Sequence, residues 1–320
     1  MARLPRLKPR GRTQSYHLYN RLAGEPGDYP MQQPGARERF LAILLSYARV
    51  YFCLLAAFSV MGNHYHVLAQ FEAFRILTRL ELRAIAKRLY ADRVFKPYLF
   101  WRAPQWRRFN RRLFDVSEFM RNVESDYARW HNRKFGRKGQ LWADRFKSNL
   151  LESSRACQAV ALYIELNPLR ARLVRRPEEH RFSSARLRLA GTRASDWLMP
   201  LTRLWECDDP TRSLRLHFGR LRHRAGQELE DEDEFLRDII SQDEANGYSA
   251  GSYLQNLRYM NDAQALGDEE QIRALLQTFM ARKIYRQVRS PVRAPFGPFS
   301  MLRGQRRNFV SGSAGDGHIA

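Results

Sequence analysis

His64 and His66 stand two apart in the apolar run Val60-Met-Gly-Asn-His-Tyr-His-Val-Leu-Ala-Gln70. Successive side chains of a β-strand point to opposite faces, so both imidazoles leave the same face, close enough to hold one metal ion. The Met-Gly-Asn before them reads as a hairpin turn, because Gly and Asn tolerate the backbone angles a turn needs. Two imidazoles alone make a weak site, and a packed structural pair is the commoner use of such a motif. In a cationic chain, a metal that polarises a phosphate oxygen points to phosphodiester chemistry, with a third ligand supplied from elsewhere.

A second pair lies in Ala161-Leu-Tyr-Ile-Glu-Leu-Asn-Pro-Leu-Arg170. Tyr163 and Asn167 are four apart and share a face if the segment is helical. A tyrosine hydroxyl can serve as a covalent nucleophile, and an amide oxygen one turn away can ligate a metal. The competing readings are a core Tyr163 and an Asn167 that caps a helix begun by Pro168. Pro168 also disfavours helical backbone angles at Asn167, which makes the shared face approximate.

The elements that must position these residues follow from periodicity. Ser15–Leu22 reads as a strand and residues 36–49 as a helix, with Phe40, Ile43, Leu44 and Tyr47 on one face. Tyr51–Val60 forms the first strand of the histidine hairpin, and residues 73–90 read as a helix or a broken helix. An irregular segment rich in Trp and Arg occupies 91–112. Val116–Phe135 is a helix with Asp115 and Glu118 as a capping box and Phe119, Val123, Tyr127 and Trp130 as its apolar stripe. Gln140–Leu151 reads as a strand, and a helix capped by Ser153 or Ser154 runs to Leu166, where Asn167-Pro168 ends or redirects it. The order βαββαβ is the ferredoxin-like arrangement: an α+β fold whose antiparallel sheet carries helices on one face. That architecture serves unrelated functions, so the fold alone settles none.

The whole-chain balance narrows the partner. The 320 residues hold 55 Lys+Arg against 33 Asp+Glu, a formal charge of +22, and a 44% hydrophobic fraction large enough for a packed core. Such an excess repels itself unless an anionic partner offsets it, and nucleic acid is the usual one. Cys53, Cys157 and Cys207 are widely spaced and form no C-x-x-C, as expected of a reducing cytoplasm. No uninterrupted apolar run approaches the roughly 18 residues of a membrane span, and the N-terminus reads as a basic arm over 1–13. Beyond about 195 the character changes. A mostly helical extension covers 195–289 and includes the acidic run Glu228–Glu234, and a disordered tail is expected over 290–320.

Four blocks, taken together and in order, resemble a known family. They are Gly62-Asn-His-Tyr-His66, Asp126-Tyr-Ala-Arg-Trp-His-Asn-Arg-Lys-Phe-Gly-Arg-Lys-Gly139, Leu141-Trp-Ala-Asp-Arg-Phe-Lys-Ser148 and Tyr163-Ile-Glu-Leu-Asn-Pro-Leu-Arg170. The chain is similar here to the REP-associated tyrosine transposases of the single-tyrosine HUH superfamily. The similarity covers about 14–190, with an insertion near 90–112. It implies a ferredoxin-like catalytic domain that cleaves and rejoins single-stranded DNA at hairpins through a covalent 5′-phosphotyrosine, as a DNA transposase. Carried over residue by residue, His64 and His66 become metal ligands, Tyr163 the nucleophile, and Asn167 the polar third ligand; Tyr127 is the competing tyrosine. The implied cofactor is Mg²⁺ or Mn²⁺, and imidazole ligands favour the softer Mn²⁺.

Arg133, Lys134, Arg137, Lys138, Arg145 and Lys147 are expected to follow a phosphate backbone, joined by Arg170. Trp142 is a candidate for stacking on bases, against the alternative that it and Phe146 face the core. The resemblance implies hairpin-bearing single-stranded DNA as the partner, and the protein is expected to be a monomer or homodimer. Two rivals stand: a non-catalytic nucleic-acid-binding module on the same sheet, and an HUH nickase for replication or plasmid transfer. Family members commonly carry Pro at the position of Gly62, and the shortest lack the extension.

Overall fold

The computed structural model describes residues 6–25, 27–91, 93–190, 197–227, 234–246, 263–281, 290–294 and 298–303. Most of the acidic run at 228–234 and the start of the basic arm lie outside the described residues. β1 (Gln14–Arg21) is followed by α1 (Ala36–Ala48), then by the hairpin of β2 (Cys53–Val60) and β3 (His64–Phe71). After α2 (Arg79–Leu89), α3 (Ala103–Arg112) and α4 (Val116–Lys134) come β4 (Lys147–Leu151) and α5 (Ser154–Arg170). The strands align as β2-β3-β1-β4 with antiparallel neighbours, so β1, read first in the chain, lies between β3 and β4. This is the expected α+β, ferredoxin-like sheet.

The pleat sorts the side chains. Phe40 of α1 and Tyr127 of α4 cover one face, where Phe40 stacks on Tyr65 at 4.8 Å and meets the Tyr127 ring edge-on at 5.2 Å. α5 covers the other face and packs with Leu68 and Leu151 in a second apolar cluster. The helices internal to the βαββαβ unit thus share one face, and the helix that follows the unit takes the opposite one. Asp115 caps α4 by accepting from the amides of Ser117 and Glu118. The expected reciprocal bond from Glu118 gives way to its pairing with Arg112 at 2.6 Å.

The region past 195 joins the same sheet. Its helices are α6 (Ser184–Leu189), just before it, then α7 (Leu201–Trp205), α8 (Pro210–Arg224), α9 (Glu234–Ala245) and α10 (Glu269–Ala281). Among them β5 (Ala263–Gly267) adds to β4 in parallel; β6 (Val292–Arg293) follows, and β7 (Ser300–Arg303) pairs antiparallel with both β5 and β6. β7 lies inside the segment expected to be a disordered tail. The edge of β4 is therefore hydrogen-bonded rather than open.

The insertion is more regular than its composition suggested. α3 buries Trp106 and Phe109. Its Asn110 accepts from the Leu77 amide and donates to the Arg75 carbonyl, each at 2.9 Å. One side chain thereby fastens the insertion to the segment leaving β3. Among the described residues no helix is long and apolar enough to cross a membrane.

A candidate active site of histidines and a helix tyrosine

β3 turns His64 and His66 towards α5, as the two-residue spacing requires. Tyr19 of β1 lies opposite His66, and Arg21 opposite His64. His17, two residues before Tyr19, therefore points to the same face. On the far side of β1, Lys147 lies opposite Tyr19 and Asn149 opposite His17. α5 places Tyr163 on this cluster, its ring 5.6 Å from those of His66 and His17 and nearly perpendicular to both. The His64 and His66 rings are 5.3 Å apart. His17, His66, Tyr163 and Asn167 are buried, while Arg21, Lys147 and Arg170 are exposed. The site is a buried knot of imidazole and phenol ringed by cations.

Hydrogen bonds fix which ring nitrogens face outwards. Asn63 Oδ1 lies 2.7 Å from His64 Nδ1, so Nδ1–H donates and Nε2 keeps its lone pair. His66 Nδ1 contacts His17 Nε2 at 2.9 Å. When His66 Nδ1–H donates there, its Nε2 also presents a lone pair. A neighbour that holds the second nitrogen of a ligating imidazole is the usual support of a metal site. Both imidazoles are also kept neutral. Burial, then Arg170 and Arg21, lowers the His64 pKa to about 4. Burial, His17, His64 and Arg170 hold His66 well below its ordinary value.

α5 is helical through Pro168 to Arg170, with Ser153 as its cap. The expected break at Asn167 is absent, and Asn167 is buried within the helix rather than at the start of a new one. Pro168 has no N–H to give the Ile164 carbonyl four residues back. The Asn167 amide supplies donors instead: Nδ2 donates to Tyr163 O at 3.0 Å and to Ile164 O at 3.4 Å. An interior proline costs about 3 kcal/mol, and a hydrogen bond returns about 1, so the compensation is partial. It has a geometric result. With Nδ2 turned back along the helix, Oδ1 is buried without a hydrogen-bond partner, on the face that carries Tyr163.

Two imidazole nitrogens and this amide oxygen suit a divalent ion of the Mn²⁺ type. Among the described residues no group of three or more His, Cys, Asp and Glu side chains could hold a metal ion.

The other face of α5 is tied to the later part of the chain. Glu165, fully buried, meets His217 Nε2 at 2.6 Å and accepts from Ser184 Oγ, with Arg188 Nε at 3.8 Å. Burial would push the Glu165 pKa up, but His217, Arg188 and Ser184 together bring it below its ordinary value. Trp205 Nε1 donates to His217 Nδ1 at 3.2 Å, which leaves Nε2–H for the carboxylate.

The remaining expected residues divide. Lys147 and Arg170 stand at the rim, the first 5.6 Å from the Tyr19 ring and the second 5.9 Å from that of Tyr163. Exposed Arg133, Lys134 and Lys138 lie at the end of α4 and just beyond. Arg137 donates to the Ala23 carbonyl, and Leu22 bonds Asn63 beside the histidine turn, so this basic loop lies at the His64 end of the sheet. Arg145 is exposed. Trp142 is in the core: its indole donates to Glu124 O at 3.0 Å and its ring packs edge-on against Tyr65. It is covered by protein and offers bases no face. His17 and Tyr19 were not anticipated, although the alternation in Ser15–Arg21 places both on one face of β1.

No protein-family model matches the chain, and no curated protein matches it. Among solved structures it is similar to a REP-associated tyrosine transposase bound to a REP hairpin, with 14% identity, 60% of this chain and 87% of that chain covered, and a TM-score of 0.40.

Proposed function

We propose that the protein cleaves and rejoins single-stranded DNA at hairpin-forming sequences, with Tyr163 as the nucleophile. One observation carries this reading. On an unbroken helix, Tyr163 lies against the His64/His66 strand and shares its face with an amide oxygen that has no hydrogen-bond partner. The order of the four sequence blocks supports it. His64, His66 and Asn167 would hold a divalent ion, which when bound would polarise the scissile phosphate.

Arg21, Lys147 and Arg170 would receive the flanking phosphates. The Tyr163 oxygen would form the new bond to phosphorus as the bond to the 3′ oxygen breaks. The phenolic proton is lost and the 3′ oxygen becomes a hydroxyl. Attack by a 3′ hydroxyl on the phosphotyrosine reverses the exchange without an outside energy source. A non-catalytic binding module on the same sheet is favoured by one observation, the 1% exposure of Tyr163; cleavage requires DNA to displace what covers the ring.

A covalent-adduct assay separates the two. Wild type and Tyr163→Phe are incubated with labelled single-stranded hairpin oligonucleotides and Mn²⁺, then run under denaturing conditions. The expected result is a shifted band in wild type alone, abolished by chelator. Tight binding without a band supports the binding module, and a band that persists in Tyr163→Phe moves the nucleophile elsewhere.

A further inference from the structure

The catalytic reading leaves unused the insertion near 90–112 and the segment that leads into it. From Phe74 to Arg112 the chain carries 12 Lys and Arg, 10 of them Arg, against 2 acidic residues. Its buried aromatics, Trp106 and Phe109, hold the insertion together. Others turn outwards. Phe95 and Phe100 are 67% and 73% exposed, with their rings 6.0 Å apart and within 9° of parallel. Val94 and Leu99 beside them are exposed too, as are Arg83, Arg107, Arg108 and Arg111. Burying none of these rings forgoes apolar stabilisation, so a patch of this kind marks a contact surface.

The insertion is anchored away from the histidines. Asn110 ties it to the segment that leaves β3 after Phe71, and seven residues of extended chain separate that end of β3 from His64, roughly 23 Å at strand rise. We infer that the insertion is a second nucleic-acid surface, on which Phe95 and Phe100 stack with unpaired bases while the surrounding arginines take the phosphates. Charge decides the occupant. A second copy would bring a like-charged face against this one and repel it. An anionic strand with exposed bases matches both halves of the surface, since every base has a π-face and arginine both stacks on bases and binds phosphate in two-toothed fashion. The inference rests on DNA as the substrate but not on Tyr163 as the nucleophile.

The test is binding by the full chain in chelator, so that no cleavage intervenes. Labelled hairpins are compared with and without a single-stranded extension long enough to span the sheet. Wild type should bind the extended hairpin more tightly, and F95A/F100A should lose that advantage, by about five-fold or more per ring, while binding the bare hairpin as before. R107E/R108E should weaken binding of the extended hairpin and flatten its salt dependence by about two phosphate contacts. Both rings are exposed, so the melting temperature should not move. If F95A/F100A retains the advantage of the extension, the second surface is refuted while the catalytic reading stands. If wild type binds neither hairpin, the DNA assignment itself falls. A wild-type dimer that F95A/F100A dissolves in sedimentation, or loss of binding to anionic vesicles with DNA affinity unchanged, would assign the patch to self-association or to a lipid surface and overturn the inference.

Discussion

The two faces of the sheet each receive a tyrosine from a helix, and the two are equally hidden: Tyr127 is 0% exposed and Tyr163 1%. Their surroundings differ, although each has imidazole beside it: the lone His131 lies 5.7 Å from the Tyr127 ring, whereas Tyr163 meets a pair of histidines that contact each other. Tyr127 stands among Phe40, Trp130 and Trp142, its hydroxyl has no hydrogen-bond partner, and burial drives its pKa well above the ordinary value. Tyr163 stands against His17 and His66, with Arg170 near its ring. The contrast begins in β3, where alternate residues send imidazoles one way and Tyr65 and Val67 the other. Burial alone does not identify a nucleophile; the groups that share the burial do.

The largest effect expected on this contrast is in chemistry. Tyr163→Phe should reduce DNA-adduct formation by roughly 10³-fold or more, the scale on which nucleophile removal acts. Tyr127→Phe should leave the adduct intact and should not lower the melting temperature, because it deletes a hydroxyl that bonds nothing. If both variants lose the adduct, the two faces are not functionally distinct.

Mn²⁺ should raise the melting temperature of the wild type; His66→Ala should abolish that rise, and Asn167→Ala should diminish it. The support residue is expected to matter less. His17→Ala leaves both proposed ligands, His64 and His66, in place yet frees the His66 ring, and should weaken Mn²⁺ binding about 10–100-fold, read by calorimetry. An unchanged affinity would remove His17 from the site.

A separate effect, on stability rather than on DNA chemistry, belongs to the opposite face. Glu124 accepts from Asn20 and from Tyr65, each at 2.7 Å. Burial raises its pKa to about 7, against the smaller opposing pull of those hydrogen bonds and of Arg6. A carboxyl with a raised folded pKa favours the folded state fully only below its unfolded value, and that advantage is lost as pH rises through the folded one. Glu124 should therefore cost stability progressively between about pH 4.5 and 7, by at most about 4 kcal/mol. Denaturation of Glu124→Gln at acid and neutral pH should show a flatter profile than wild type across that window. An identical profile would place the titration elsewhere.

What could be read in advance was whatever has local periodicity. The His64/His66 pair, the Tyr163/Asn167 spacing and the βαββαβ order depend on neighbours in the chain, and each is present. What could not be read depends on register or on distant partners. His17 meets His66 only because β1 pairs with β3 in one alignment out of many. Glu165 finds His217 across more than fifty residues, a relation no spacing rule encodes. α5 outlasted Pro168 because a side-chain amide substitutes for the missing donor, a compensation invisible to propensity. Trp142 was legible both ways, and packing against Tyr65 decided for the core. In the insertion, arginine density hid a helical period that Trp106, Phe109 and Asn110 nonetheless obey.

Pro168 has a consequence for how the site could be improved. Replacing it with alanine would restore the backbone donor and strengthen the helix, yet it would release the Asn167 amide to rotate. That freedom would have to be surrendered again each time an ion bound. Pro168→Ala is accordingly expected to raise the melting temperature and weaken Mn²⁺ binding together. On the proposed reading the imperfection in α5 would act as a ratchet: an error of helix grammar that keeps one oxygen aimed before anything arrives to meet it.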